Sequence, residues 1–250
     1  MDIKKEILDH VSEKFPDTYK LQTEYRSHPG YSLLTLDNFL PSAVVKKMSD
    51  ELENIPLSDC KRFTRRGSCM YEHNNLDETP IADEVVHALH SSSFVKWLQE
   101  VTDTVDLIPD PHLIGAGYMK SFKGDSLKIH TDFNWNEQIR LHRMLSVVIY
   151  LNEEWKDEWG GHLNFYDLNR KNILTKVPLS AGNVVIWNYH NLAFHGYPDP
   201  LSCPNGKSRK GIRLFYYVSN AKYDDKHPPH RSLYWYDEKT GTPYDQPWTK

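Results

Sequence analysis

The feature that most constrains the fold is a change of period after Pro109. From there the chain repeats short β-branched and aromatic runs: "HLIGAGYMKSF", "SLKIHTDF", "MLSVVIYLN", "HLNFYDL", "ILTKVPL", "NVVIWNY" and "GIRLFYYVS". Gly, Asn, Asp and Pro separate them. Runs this short cannot bury a face as helices, and many of them at even spacing indicate an all-β sandwich or barrel.

The stretch before Pro109 reads mostly as helix. Ile3, Ile7, Val11 and Phe15 recur at helical spacing, and Pro16 closes the segment. "YSLLTLDNFL" predicts a strand, and "PSAVVKKMSDELENI" predicts a helix with Pro41 at its start. "IADEVVHALH" and "SSFVKWLQEVTD" predict two more helices, the second opened by capping serines. "CKRFTRRGSCMYEHNN" has no clear period and reads as a loop or short hairpin. With no internal repeat or low-complexity linker, the expectation is one α+β domain over 1–250 with a mainly β core. It divides into helical support at 1–108, the β core at 109–220 and an aromatic, proline-rich extension at 221–250.

Composition narrows the partners. A formal net charge of −4 and a pI near 6.3 give none of the basic excess that nucleic-acid binding needs. No stretch approaches the ~18 apolar residues of a membrane span. "MDIKKEILDHV" has no apolar leader core, and three cysteines without ligand spacing are neither a disulfide framework nor a zinc site. A cytoplasmic setting is the resulting expectation. The 15 Tyr and 7 Trp suit a ligand cleft lined by flat amphipathic rings.

Candidate chemistry begins at "HTDFNW". On an extended chain residues i and i+2 share a face, so His130 and Asp132 aim at one point, and an imidazole converging with a carboxylate suggests a divalent metal. Thirteen histidines and 34 acids in 250 residues give about two such H-x-[DE] matches by chance. The chain has one, at a predicted strand end, and alone it equally fits two solvated polar groups. Downstream, His195 precedes Gly196 and Pro198, and Arg209 precedes the strand "GIRLFYY". Two histidines and one carboxylate form the ligand face of non-haem Fe(II) oxygenases. An arginine beside that face clamps a dicarboxylate through parallel hydrogen bonds. His190 is the rival third ligand.

"HTDFNW", "LHRMLSVVIYLNEEWKDEWGGHLNFYD", "AGNVVIWN", "FHGYPDPLSCP" and "SRKGIRLFYYVS" together resemble the 2-oxoglutarate- and Fe(II)-dependent dioxygenase superfamily, on its prolyl 4-hydroxylase-like branch. The resemblance runs from about Tyr31 to Tyr236. It implies a double-stranded β-helix, or jelly roll, with Fe(II) on His130, Asp132 and His195. It implies that Arg209 and Tyr150 hold the distal carboxylate of 2-oxoglutarate, that O2 is the second cosubstrate and that ascorbate serves as reductant. The implied reaction hydroxylates an unactivated C–H of an amino acid, a peptidyl residue such as proline, or a related small molecule, releasing succinate and CO2. A carboxylate at Asp132, where a glycine would leave room for chloride, favours hydroxylation.

Around this set the expectations are finer. Arg143 and Trp135 are candidate substrate contacts, with a salt bridge to a nearby acid as the alternative for Arg143. Arg213 stands where relatives often carry a small or apolar residue and competes with Arg209 for the cosubstrate. Tyr118 and Lys120 are weaker matches for cosubstrate contacts. Arg62, Arg65 and Arg66 read as a solvated loop or a substrate lid and, with Arg143, hint at an anionic or carboxylate-bearing substrate. Gly160–Gly161 reads as a turn that demands positive φ. Two other readings stay open: a catalytically silent jelly-roll binding module, and a cupin-like metal enzyme that does not use 2-oxoglutarate.

Overall fold

The computed structural model describes residues 2–189, 193–219 and 229–234. The first part holds α1 (Ile3–Lys14), α2 (Thr18–Ser27), β1 (Leu33–Leu36), α3 (Ser42–Asn54), β2 (Lys61–Arg65), β3 (Ser68–His73), α4 (Pro80–Leu89) and α5 (Ser92–Thr102). Next come β4 (Ile108–Pro109), β5 (Gly117–Ser121), β6 (Leu127–Thr131), β7 (Trp135–Asn136) and β8 (Leu141–Tyr150). The remainder are β9 (Leu163–Tyr166), β10 (Ile173–Val177), β11 (Val184–Asn188), β12 (His195–Tyr197), β13 (Arg209–Val218) and β14 (Leu233–Tyr234).

Local rules account for the helix starts. Asp2 and Asp17 accept backbone N–H groups three residues ahead, each at 2.9 Å, and so satisfy donors that α1 and α2 would otherwise leave open. α2 escapes the sequence reading because only Leu21 and Tyr25 on it are buried, too few to show a period. All seven apolar runs after Pro109 contain strands.

The strands form two antiparallel sheets. The larger runs β1-β11-β8-β13-β5-β3-β2, and the smaller runs β10-β9-β12-β6-β14. Together they make the expected double-stranded β-helix. Three strands of the larger sheet come from the part expected as helical support, and the unassigned "CKRFTRRGSCMYEHNN" stretch is the β2–β3 hairpin at its edge.

Period-2 alternation divides the larger sheet between two cores. Leu145, Val147 and Ile149 of β8, Val184 and Ile186 of β11, and Ile212 and Leu214 of β13 pack against α1–α5. Val148 and Tyr150, with Val185 and Trp187, face the other way and meet Leu163, Phe165 and Tyr197 of the smaller sheet. The site lies in this second core. Among the described residues no helix is long and apolar enough to cross a membrane. Of the expected extension at 221–250, only 229–234 lies within the described residues, and it contains β14.

Candidate metal centre

β6 and β12 are neighbours in the smaller sheet, and the register sets His195 directly opposite His130. The register slips between His195 and Tyr197, at Gly196. A Cβ on Gly196 would lie 2.6 Å from the Leu127 carbonyl oxygen, so only glycine lets the strands approach here. Asp132 follows β6 by one residue and closes the group.

Nε2 of His130 lies 3.7 Å from Asp132 Oδ1, and Nε2 of His195 lies 3.6 Å from Oδ2. The three donor atoms fall within 4.8 Å of one another. The opposite side of each ring fixes its tautomer. His130 Nδ1 is 2.8 Å from the Lys128 carbonyl and His195 Nδ1 is 2.8 Å from the Ala193 carbonyl. A carbonyl only accepts, so both Nδ1 atoms carry the proton and both Nε2 lone pairs turn toward the carboxylate. This donor set suits Fe(II). His190, the rival ligand, lies outside the described residues.

Arg143 comes from the start of β8 and is 2% exposed. Its Nη2 donates to Asp132 Oδ2 at 2.8 Å and to Ser146 Oγ at 2.5 Å. Its Nε and Nη1 have no hydrogen-bond acceptor, and the guanidinium instead lies 3.4 Å from the Phe215 ring centroid and 4.6 Å from that of Phe133. Burial pushes the Asp132 carboxyl up, but the Arg143 charge, helped by His195 and His130, outweighs it and holds the group well below the usual carboxylate range. Burial, with His195 alongside, lowers His130, which keeps its imidazole neutral.

Arg209 begins β13 and is 3% exposed. It donates from Nε to the Gly161 carbonyl at 2.7 Å and from Nη2 to the Tyr150 hydroxyl at 3.2 Å. The guanidinium also lies 4.5 Å from the Tyr197 ring centroid, and Tyr197 pairs with Ser121 at 3.0 Å. Burial pushes the Tyr150 phenol up to about 12, with Arg209 opposing, so it stays a hydroxyl at neutral pH. His130, Asp132, His195, Tyr150, Arg209 and Arg213 line one cavity, closed by apolar side chains such as Met70, Met119 and Trp187. Arg213 sits four residues beyond Arg209 on the same face of β13, about 13 Å along the strand. The cavity is therefore cationic at both ends, with the histidine–carboxylate group at the Arg213 end.

Other expected residues fall elsewhere. Trp135 lies on β7, half-buried, with its ring against His142 at 4.8 Å, and it does not line the cavity. Tyr118 and Lys120 are on the opposite face of β5 from Met119 and reach α3: Tyr118 donates to Glu51 at 2.8 Å, and Lys120 to the Leu52 carbonyl at 2.7 Å. Arg62 forms a two-point pair with Asp125 at 2.6 and 3.1 Å, and Arg65 lies 5.6 Å from the Tyr234 ring centroid. Gly160 and Gly161 do have positive φ, at 72° and 79°. Sequence reasoning passed over Tyr197, Tyr234 and Glu72. Tyr234 stacks on His130 at 5.2 Å, and Glu72 pairs with Arg213. For Tyr197 a signal existed, since it lies two residues after His195 and shares its face.

Residues 116–217 match the model of the 2OG-Fe(II) oxygenase superfamily. No curated protein matches the chain by sequence. Among solved structures, a prolyl-4-hydroxylase from Pseudomonas putida superposes with a TM-score of 0.57 at 16% identity, covering 79% of this chain and 98% of that one. A prolyl hydroxylase from Trichoplax adhaerens, in complex with a hypoxia inducible factor peptide fragment, gives 0.59 at 17% identity over 82% and 93%. HygX from Streptomyces hygroscopicus, with nickel and 2-oxoglutarate bound, gives 0.53 at 15% identity over 79% and 87%. These likenesses are of fold, and the family match over 116–217 is a likeness to 2-oxoglutarate- and Fe(II)-dependent oxygenases.

Proposed function

We propose that this 2-oxoglutarate/Fe(II)-dependent oxygenase is a hydroxylase that acts on an unactivated C–H of an amino acid, a peptidyl residue such as proline, or a related small molecule. The observation that carries this reading is one cavity with two imidazole Nε2 atoms and a carboxylate at one end and a buried guanidinium at the other. In it, His130, Asp132 and His195 hold Fe(II), and Arg209 with Tyr150 holds the distal carboxylate of 2-oxoglutarate. Bound Fe(II) with 2-oxoglutarate and O2 supplies the oxidising power to hydroxylate carbon, with release of succinate and CO2.

The chain's own residues bind and orient. The Lys128 and Ala193 carbonyls keep both imidazoles turned inward. Arg143 and Ser146 hold the Asp132 carboxylate ionised and in place. Gly161 and Tyr150 fix the Arg209 fork, so little side-chain freedom is lost when a diacid docks. Met70, Met119, Leu127, Val148, Leu163 and Trp187 exclude water from the space between. A carboxylate at Asp132 fills the position that a halogenating site leaves open.

The test is anaerobic titration of the Fe(II)-loaded protein with 2-oxoglutarate. A weak visible charge-transfer band is expected, and Arg209→Ala should abolish it at the same cosubstrate concentration. A silent binding module or a cupin-like enzyme independent of 2-oxoglutarate gives no such band.

A further inference from the structure

Glu72 on β3 and Arg213 on β13 flank β5, and the residue between them in register with Arg213 is Gly117. Glu72 is in register with Met119, two residues along β5, and the Glu72 and Arg213 side chains meet across that strand. Arg213 donates from Nη2 to Glu72 Oε1 at 2.6 Å, with the side chains 19% and 14% exposed. Arginine and a carboxylate ordinarily pair through two parallel bonds. Here one is made. The buried Arg213 Nε–H has no acceptor, and among the described residues nothing donates to Glu72 Oε2.

Arg213, which lines the cavity, therefore carries an unmet donor, and Glu72, held against it just behind that lining, carries an unmet acceptor. A buried donor without a partner is costly, so a ligand that meets it is favoured. Of the other guanidiniums, Arg143 holds Asp132, keeps its two unmet donors against Phe215 and Phe133, and does not line the cavity. Arg209 lies at the far end on Tyr150 and Gly161. An α-amino acid presents a carboxylate and an ammonium one carbon apart, which complements the two open positions. We infer that the Glu72–Arg213 pair is the substrate subsite for a free α-amino acid, Arg213 taking the α-carboxylate and Glu72 the α-ammonium. This rests on the hydroxylase reading above and narrows its substrate classes to one. A residue within a peptide has neither charge and leaves both positions unmet. With its backbone held there, the amino acid's side-chain carbons lie in the cavity that Asp132 and the two histidines share.

The experiment uses the anaerobic Fe(II)·2-oxoglutarate enzyme with each of the common L-amino acids, their N-acetyl and C-amide forms, and short proline-containing peptides. The readouts are the shift of the visible band on binding and succinate release on admitting air. At least one free amino acid should shift the band and stimulate succinate release, and blocking either its amine or its carboxylate should weaken binding about tenfold or more. Glu72→Gln and Arg213→Met should raise KM for that amino acid about tenfold or more while KM for 2-oxoglutarate changes less than about twofold. The comparison of free with blocked ligands on the unaltered enzyme stands even if a variant folds poorly. The inference is overturned if only blocked residues or peptides act, or if no free amino acid shifts the band. Absence of the band before any amino acid is added would instead defeat the hydroxylase reading.

Discussion

Arg143 donates to Asp132 across 2.8 Å, from a strand start to the residue just past a strand end in the opposite sheet. The guanidinium thus ties the larger sheet to the only carboxylate of the metal group. Without that charge, only His195 and His130 would oppose the burial that pushes the carboxyl up toward its protonated form, which binds no metal.

Arg143→Met keeps the stem against Phe215 and removes the charge. Breaking one side of a buried pair costs about 3–5 kcal/mol, to be read as a lowered urea midpoint. With its folded pKa depressed, Asp132 contributes stability that is full above its unfolded value of about 3.9 and is lost as pH falls through the folded value. In the variant the carboxyl moves up from its position in the parent, so Fe(II) affinity should decline at a higher pH than in the parent. Equal pH profiles of Fe(II) binding would contradict this role.

The Arg209 fork is engaged at Nε and Nη2, which sets its plane. Arg209→Lys retains charge and loses the fork, and should raise KM for 2-oxoglutarate about tenfold or more with Fe(II) affinity unchanged. Tyr150→Phe removes one hydroxyl worth about 1 kcal/mol, about a fivefold effect on the same constant. A larger effect from Tyr150 than from Arg209 would reverse the assignment.

Gly161 supplies the carbonyl that Arg209 Nε meets, at a φ of 79°. A Cβ there would fall 2.5 Å from Leu201 Cδ2 and 3.2 Å from Arg209 Cδ. Gly161→Ala should therefore weaken 2-oxoglutarate binding and cost about 1–3 kcal/mol of stability in thermal unfolding. An alanine variant with unaltered KM for 2-oxoglutarate would show that the turn does not position the arginine.

His90 follows α4, edge-on to Tyr216 at 5.9 Å, and its Nε2 is buried without a partner. Burial, with His87 adding, holds its pKa down to about 4. The unfolded chain takes up the proton first as pH falls, so stability is full above about 6.5 and declines toward pH 4, by at most about 3 kcal/mol. His90→Leu should flatten that part of the curve in urea titrations at pH 7 and 4.5. Parallel curves for parent and variant would rule out this source of acid sensitivity.

Sequence carried the parts of the site that obey a local rule. His130 and Asp132 follow from the period of an extended chain, and the strand-rich half from the spacing of its apolar runs. Tyr118 and Lys120 were candidates by position along β5, yet alternation turns both to α3 and leaves Met119 in the cavity. Glu72 was invisible because it meets Arg213 across 141 residues of chain, from a hairpin with no hydrophobic period. Arg143 was readable as a cation beside an acid, but which acid depended on how β8 crosses the end of β6.

β8, β11 and β13 each show one row of side chains to the helices and the other to the reaction space. Cohesion and specificity are thus written in alternate letters of the same strands. The inward letters, Arg213 among them, can be rewritten while Ile212 and Leu214 on either side go on gripping the helical layer. Such a scaffold can change what it oxidises without having to refold its support.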